Sequence, residues 1–134
     1  MNITSFVTIY LISVPIFFIC DMIWLVLVAK DFYRVRLEGL MGEVNWLVAV
    51  IFYLVFLLGL TFFATYPAIL KNSMYQALLL GALFGFFTYA TYDLTNLSTL
   101  RGWSMSLSIV DMIWGTVLGG LVSGFVYFIY THLF

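Results

Sequence analysis

Four long apolar segments, separated by three short polar stretches, constrain the fold of this chain more than any other feature. They cover residues 5–29, 45–67, 75–98 and 103–131, and each is long enough for a helix to cross about 30 Å of hydrocarbon with about 20 residues. The alternating polarity of a transmembrane β-barrel is absent from them. The sequence therefore predicts an all-α polytopic membrane protein, in which residues 1–134 form a single four-helix transmembrane domain.

The composition agrees with this prediction and excludes one class of partner. Only 8% of the residues are charged and 65% are hydrophobic, whereas a soluble domain has about a quarter of its residues charged. With five lysines and arginines and a net charge of −1, the chain offers no basic surface that could follow a phosphate backbone, so we expect no nucleic-acid partner. The expected partner is the lipid bilayer.

The loops differ in charge, and this difference predicts the orientation. Loops one and three lie on the same side of a four-helix bundle and hold Lys30, Arg34, Arg36 and Arg101, whereas the second loop holds only Lys71. Basic residues favour the cytoplasmic side of a membrane. We therefore expect loops one and three to be cytoplasmic and both termini to be outside.

The first loop, residues 30–43, mixes apolar and charged side chains. Such a pattern is compatible with a short interfacial helix, but Gly39 and Gly42 lower the helix propensity of the stretch. We therefore favour a solvated connector in which Phe32 and Tyr33 anchor the loop at the membrane interface.

Three aspartates lie inside the apolar segments. From the helical rise per residue, Asp21 and Asp111 each lie about 12 Å, and Asp93 about 8 Å, from the predicted cytoplasmic ends of their spans. Inserting an aspartate at the centre of a transmembrane helix costs about 2.5–3.5 kcal/mol, whereas a hydrogen bond between such helices contributes only about 0.6 kcal/mol on average. We therefore interpret the three acids as a functional site rather than as a purely structural hydrogen-bonded network.

The densest polar stretch is Tyr89-Ala-Thr-Tyr-Asp-Leu-Thr-Asn96 in span three. Residues at intervals of three and four place much of this stretch on one helical face: Gly81, Gly85, Thr88, Tyr89, Tyr92, Asp93 and Asn96. The glycines would let a second helix approach closely, which directs the face into the bundle. Span four repeats the pattern with Asp111, Gly115 and Gly119, so we expect helix packing at these four glycines.

The predicted site combines carboxylates with aromatic walls in the cytoplasmic half of the bundle. Each tryptophan of the site follows an aspartate by three residues, and an asparagine enters from the cytoplasmic end of span two. Arg101, directly after span three, is the nearest candidate counter-ion. The predicted ligand-binding or proton-binding residues are Asp21, Asp93, Asp111, Asn96, Trp24, Trp114, Tyr89, Tyr92 and Asn45.

The chemistry of such a cluster is only partly defined by its residue types. Carboxylates that approach one another in a low dielectric cannot all be ionised, so we expect at least one of them to be protonated. Carboxylate and amide oxygens would suit a hard cation better than zinc, but we assign no metal, and the sequence identifies no cofactor. No catalytic triad, CxxC motif, phosphate loop or nucleotide fingerprint is present, so we assign no catalytic residue.

The first and last spans contain two short segments of similar sequence. Ile19-Cys-Asp-Met-Ile-Trp24 and Ile109-Val-Asp-Met-Ile-Trp114 share five of six residues. Because these spans run in opposite directions, a duplication would be an inverted repeat of the kind found in transporters. Apolar helices also produce such identities by chance, and no similar pair links spans two and three, so we favour chance.

Three motifs carry a resemblance that covers nearly the whole chain: Asp21-Met-Ile-Trp24, Tyr92-Asp-Leu-Thr-Asn96 and Asp111-Met-Ile-Trp-Gly115. With them the chain resembles a family of small four-helix bacterial inner-membrane proteins of unknown function, and the second motif is the most specific part. The resemblance implies a multi-pass protein of the bacterial inner membrane. It implies no activity.

Three functions are compatible with these observations. The first is binding or movement of a small organic or lipid-like ligand, with proton coupling as an option, because aromatic walls around carboxylates suit an organic cation. The second is a membrane-embedded enzyme that acts on a lipid with paired aspartates. The third is an accessory subunit or assembly factor, and a homodimer is compatible with any of the three because span four offers a second small-residue face, Gly120 and Gly124.

Overall fold

The computed structural model describes all 134 residues, and its regular secondary structure consists of helices only. Four of the helices are long and apolar enough to cross a membrane. The all-helical, four-span prediction is therefore confirmed. The first and last residues of each predicted segment lie within a few residues of the ends of the corresponding helix. The elements are α1 (Ile3–Val28), α2 (Lys30–Arg36), α3 (Trp46–Leu70), α4 (Met74–Thr99) and α5 (Met105–Leu133).

Each of the four spans begins at a polar residue that caps the helix. The side-chain oxygen of the capping residue accepts a hydrogen bond from a backbone N–H in the first turn, where helical partners are missing. Short polar side chains just outside each apolar run thus determine where each span begins. The four caps are Asn2, Asn45, Ser73 and Ser104.

Helices α4 and α5 make the closest contact in the bundle, and they meet at glycines. A methyl group on Gly85 would overlap the backbone carbonyl of Gly115, and one on Gly119 would overlap the carbonyl of Gly81. Gly115 also lies directly beneath the ring of Tyr89, where no side chain would fit. The absence of side chains at these positions therefore permits backbone-to-backbone packing between the two spans.

The centre of the bundle is apolar. Phe17 of α1, Leu57 and Leu60 of α3, and Leu118 and Val122 of α5 are fully buried there and form one cluster. The outward faces of the spans carry exposed apolar side chains along most of their length, as expected of surfaces that face lipid.

Two spans contain a stretch of wider, π-helical turns: Ile23–Val28 at the end of α1 and Thr61–Thr65 within α3. In the first stretch the backbone N–H of Ala29 reaches back five residues to the carbonyl of Trp24. A π turn shifts the angular position of the residues that follow it, and such turns are frequent at functional sites. The stretch at Ile23–Val28 begins two residues after Asp21.

The first loop differs from the predicted solvated connector. Its first part, Lys30–Arg36, is a helix, and Tyr33 points into the bundle, where its hydroxyl donates a hydrogen bond to Asp111. The connector interpretation is therefore wrong for these residues. The two glycines that argued against a helix, Gly39 and Gly42, lie beyond its end, so they do not interrupt it.

Candidate functional site

A cavity of about 420 Å³ lies among all four spans, near the end of the bundle that carries the first and third loops. We call this the basic end, because it holds Lys30, Arg34, Arg36 and Arg101. The cavity volume is in the range typical of small-molecule sites. Its walls combine three carboxyl groups with a majority of apolar and aromatic side chains: Asp21, Leu25, Tyr33, Leu37, Phe52, Tyr53, Thr88, Tyr89, Tyr92, Asp93, Trp103, Leu107, Asp111 and Trp114.

Asp93 is the most unusual group in the cavity wall. Its exposed fraction is 0%, and neither of its carboxyl oxygens accepts a hydrogen bond. The neighbouring polar group is the carboxyl of Asp111, which can donate only if it carries a proton. Buried polar atoms in native proteins are almost always hydrogen-bonded, so Asp93 lacks a donor that something outside the chain could supply.

Asp111 is held by a relay of hydrogen bonds from α1 and α2. The indole N–H of Trp24 donates to the hydroxyl of Tyr33 over 3.2 Å, and this hydroxyl donates to Oδ1 of Asp111 over 2.5 Å. Burial and the adjacent Asp111 carboxylate raise the pKa of Tyr33 above its ordinary value. The Tyr33 hydroxyl therefore remains a donor throughout the physiological pH range.

Asp21 accepts a hydrogen bond from a side chain of α5. Its Oδ1 lies 3.5 Å from the indole Nε1 of Trp114, which donates to it, and the hydroxyl of Tyr53 is a further neighbour. The indole rings of Trp24 and Trp114 stack in parallel, with centroids 4.5 Å apart and an interplanar angle of 7°. The two Asp-Met-Ile-Trp segments are thus linked by hydrogen bonds. Trp114 donates directly to Asp21, and Trp24 donates to Tyr33, which in turn donates to Asp111.

Comparison with known proteins assigns the chain to a family. A family described as "Predicted membrane protein (DUF2177)" matches residues 6–128, which is nearly the whole chain. The chain belongs to the DUF2177 family. Together with the four apolar helices, this membership makes it a multi-pass membrane protein. No curated protein and no solved structure matches it significantly, so the properties of the site rest on the chain itself.

The structure brings most of the predicted site residues of this DUF2177 protein together. The residues that line the cavity are Asp21, Asp93, Asp111, Tyr89, Tyr92 and Trp114. Trp24 lies outside the lining and stacks on Trp114. Asn96 also lies outside it, one helical turn from Tyr92, and Asn45 uses its side chain to cap α3.

The basic residues contribute nothing to the wall of the cavity. Arg101, the predicted counter-ion, is exposed and forms no ion pair. Arg34 pairs with Asp31 on the surface of α2, over 3.2 Å, while Arg36 donates to Ser106 and stacks over Phe32. The three carboxyl groups in the wall of this DUF2177 protein are therefore not balanced by any positive charge of the chain.

Eight further residues line the cavity. Thr88 lies on the predicted polar face of span three and Leu25 one turn from Asp21, whereas the sequence contained no indication of the other six. An aromatic ring in an apolar helix gives no pattern that separates the inner from the outer face, which explains two of them. The others lie on α2 and the loops or are ordinary apolar residues at the start of α5. They are Tyr33, Leu37, Phe52, Tyr53, Trp103 and Leu107.

The cavity ends toward the middle of the bundle. Phe17, Leu57 and Leu118 are fully buried there, about 16–20 Å from the basic end by helical rise. Beyond them lie buried hydroxyl groups, among which Thr65 donates to Ser123 over 3.0 Å. The apolar layer therefore separates the carboxyl groups from the polar groups nearer the opposite end.

No group of three or more histidine, cysteine, aspartate or glutamate side chains is arranged to hold a metal ion. Asp21 is tied to Trp114 and Asp111 to Tyr33. The three carboxyl groups of this DUF2177 protein thus do not converge on one metal position, although Asp93 and Asp111 are neighbours.

Proposed function

We propose that this protein binds a small organic or lipid-like cation in the carboxylate-lined cavity, within the cytoplasmic half of the inner membrane. The observation that carries the proposal is Asp93, which is fully buried in the cavity wall without any hydrogen-bond donor. A ligand with an ammonium group would supply both the missing donor and a compensating charge.

The walls support an organic cation over an inorganic one. Tyrosine and tryptophan rings surround the carboxyl groups, and the faces of such rings attract ammonium groups. The nearest basic side chains are turned to the surface or engaged elsewhere. The surroundings of the cavity therefore favour positive charge and apolar surface at the same time.

The location of the cavity follows from the orientation that we propose for the chain. The basic end carries four of the five lysines and arginines, and such residues accumulate on the cytoplasmic side. With that orientation the ligand would be taken up from, or delivered to, the cytoplasmic leaflet of a bacterial inner membrane.

Proton exchange is part of the proposal. Asp93 and Asp111 are neighbours, and two carboxylates so close together in a low dielectric cannot both be ionised. Binding of an ammonium group allows both carboxylates to be ionised, so one proton leaves for each cation that binds.

The apolar layer of Phe17, Leu57 and Leu118 supports a binding site that is accessible from one half of the membrane, rather than an open channel. Movement of the ligand to the other side would require these side chains to separate. Binding is accordingly the primary event, and transport would follow only from a second conformation.

Titration with tetramethylammonium tests the proposal, since this probe carries the cationic group without a tail. Trp103 and Trp114 line the cavity, so their fluorescence should change saturably in protein purified in maltoside micelles. Asp93→Asn should weaken binding at least about tenfold, because it removes a charged partner. Asp31→Asn, which alters an exposed acid of α2, is the matched control and should bind normally.

The same affinity in Asp93→Asn and the unchanged protein, or no saturable signal in either, would contradict the proposal. Thermal unfolding of both variants in the same micelles distinguishes loss of the site from loss of the fold.

One observation favours a second function. The adjacent carboxyl groups of Asp93 and Asp111 form a pair of the kind that serves as general acid and base, and they lie about 9 Å by helical rise from the ends of their spans. A membrane-embedded enzyme acting on a lipid is therefore the alternative. Deletion of the gene should then change the membrane lipid profile, and restoration with Asp111→Asn should fail to correct it.

A further inference from the structure

The walls of the cavity are closed on three sides. Between α1 and α5, the stacked indoles of Trp24 and Trp114 fill the space. Between α4 and α5, the glycines bring the backbones together. Between α1 and α3, the ring of Tyr53 packs against Phe17 and Phe18 with centroids 5.1 and 5.6 Å apart.

The fourth side, between α3 and α4, differs from the others. Toward the basic end, the last aromatic contact between these two spans is made by Phe56, whose ring lies 5.4 Å from Phe84 and 6.1 Å from Tyr89. One turn nearer the basic end, the aromatic rings that pair with Phe52 belong to its own span. The contacts between α3 and α4 are accordingly few toward the basic end and more frequent at Thr61–Thr65.

One lining residue of each of these spans is more than half exposed, namely Phe52 of α3 at 54% and Tyr92 of α4 at 58%. They lie about 9–10 Å from the ends of their spans, and hence within the hydrocarbon region rather than in water. The loop end of the cavity is lined by Tyr33, Leu37 and Trp103, which are all less exposed than Phe52 and Tyr92. The most exposed part of the cavity wall therefore lies at the level of the hydrocarbon.

We propose, on the basis of the binding function above, that the ligand is an amphiphile with one ammonium head and a hydrocarbon tail, which enters from the lipid through the gap between Phe52 and Tyr92. The head lies against Asp93 and Asp111. The tail leaves through the gap and remains among the acyl chains. Charge complementarity selects the head, and the apolar rim accepts the tail.

A photoreactive alkyltrimethylammonium, with a diazirine near the middle of its chain, tests the route in phosphatidylglycerol vesicles containing the full chain. We expect labelling on the α3 and α4 segments that flank the gap, around Phe52 and Tyr92, as read by peptide mass spectrometry. Excess tetramethylammonium should suppress the labelling, and Asp93→Asn should abolish it. Labelling centred on Leu37 and Trp103 would instead indicate entry from water between the loops, and would overturn the proposal.

Narrowing the gap provides a second measurement. Phe52→Trp should reduce amphiphile labelling at least about fivefold, because a larger side chain obstructs a space that the tail must occupy. Tetramethylammonium titration of the same variant, whose residue 52 also lines the cavity, separates obstruction of the tail from any effect on the head site. Phe87→Trp is the matched control, since Phe87 is equally exposed but lies outside the cavity wall. Equal labelling in both variants would contradict the gap as the route.

The two proposals fail in different ways. If tetramethylammonium does not bind, the binding function itself is wrong. If it binds with dependence on Asp93 while the amphiphile labels other parts of the chain, only the lipid route and the amphiphilic ligand are wrong.

Discussion

Asp93 differs from the other two aspartates in the cavity wall by having no donor of its own. Asp21 receives the indole N–H of Trp114, and Asp111 receives the hydroxyl of Tyr33, whereas both oxygens of Asp93 are without a partner. The chain thus holds two of its carboxyl groups by hydrogen bonds and leaves the third, which is fully buried, without one. We propose that a proton and a cation compete at this third group.

This competition predicts a pH-dependent affinity. Tetramethylammonium does not titrate, so any pH dependence must come from the protein. If one proton leaves for each cation bound, the dissociation constant should fall as the pH rises, by at most about tenfold per unit. Titrations at several pH values measure the slope. A dissociation constant that does not change with pH would contradict proton release from the Asp93–Asp111 pair.

Tyr33 connects α2 to the cavity, and its loss should free that helix. Tyr33→Phe removes the hydrogen bond to Asp111, which is expected to contribute about 1.5–3 kcal/mol as a bond to a charged group. Backbone amides of Lys30–Arg36 should then exchange hydrogen faster, as measured by mass spectrometry. Tyr10→Phe removes a tyrosine hydrogen bond elsewhere, to the carbonyl of Leu54, and should leave α2 unchanged. Equal protection of α2 in both variants would show that Tyr33 does not hold it.

Among the helices, α2 and the end of α1 are the parts that sequence reasoning described least well. Residues Lys30–Arg36 can form a helix because Gly39 and Gly42 lie beyond its end. A helix propensity averaged over the whole loop includes these glycines and therefore underestimates the propensity of its first part. The π turns of Ile23–Val28 leave no pattern in an apolar stretch, and Trp24, which lies in them, stacks on Trp114 outside the cavity wall. By contrast, charge within hydrocarbon is so costly that the three aspartates could be identified as candidate site residues from the sequence alone.

The pairing of α4 with α5 should be highly sensitive to side-chain size. Gly85→Ala would force its methyl group into the carbonyl of Gly115, and neither backbone can move without separating the helices, so we expect a loss of about 1–3 kcal/mol. The thermal midpoint in maltoside micelles should fall by several degrees. Gly42→Ala, where a methyl group would meet open space, is the matched control. A midpoint for Gly85→Ala as high as that of Gly42→Ala would contradict the packing.

At the scale of the whole molecule, hydropathy was sufficient to predict four spans, because length and apolarity are read directly from the chain. The lining contributed by Phe52 and Tyr53 could not be predicted in the same way. In a membrane protein both the lipid-facing and the buried faces of a helix are apolar, so the contrast that identifies a core face in a soluble helix is missing. Only polar residues and glycines revealed which side of a span faces inward.

The orientation predicts which loops a reagent can reach. In a Cys20→Ser background, Lys71→Cys in the second loop should react with a membrane-impermeant maleimide in intact cells, whereas Glu43→Cys in the first loop should react only after the membrane is permeabilised. The reason is the accumulation of basic residues on the cytoplasmic side. The opposite reactivity would place the cavity in the outer half of the membrane.

The glycine contact between α4 and α5 also divides the bundle mechanically. Two backbones in direct contact leave no side chains between them that could repack, so this pair of spans acts as a stiff frame. Toward the basic end, helix α3 meets α4 through the ring of Phe56, whereas the Thr65–Ser123 hydrogen bond holds its far half to the frame. The wider turns of α3 at Thr61–Thr65 form a natural pivot between these two parts. Any widening of the cavity should therefore come from swinging of the near half of α3, while the wall that carries Asp93 and Asp111 remains fixed.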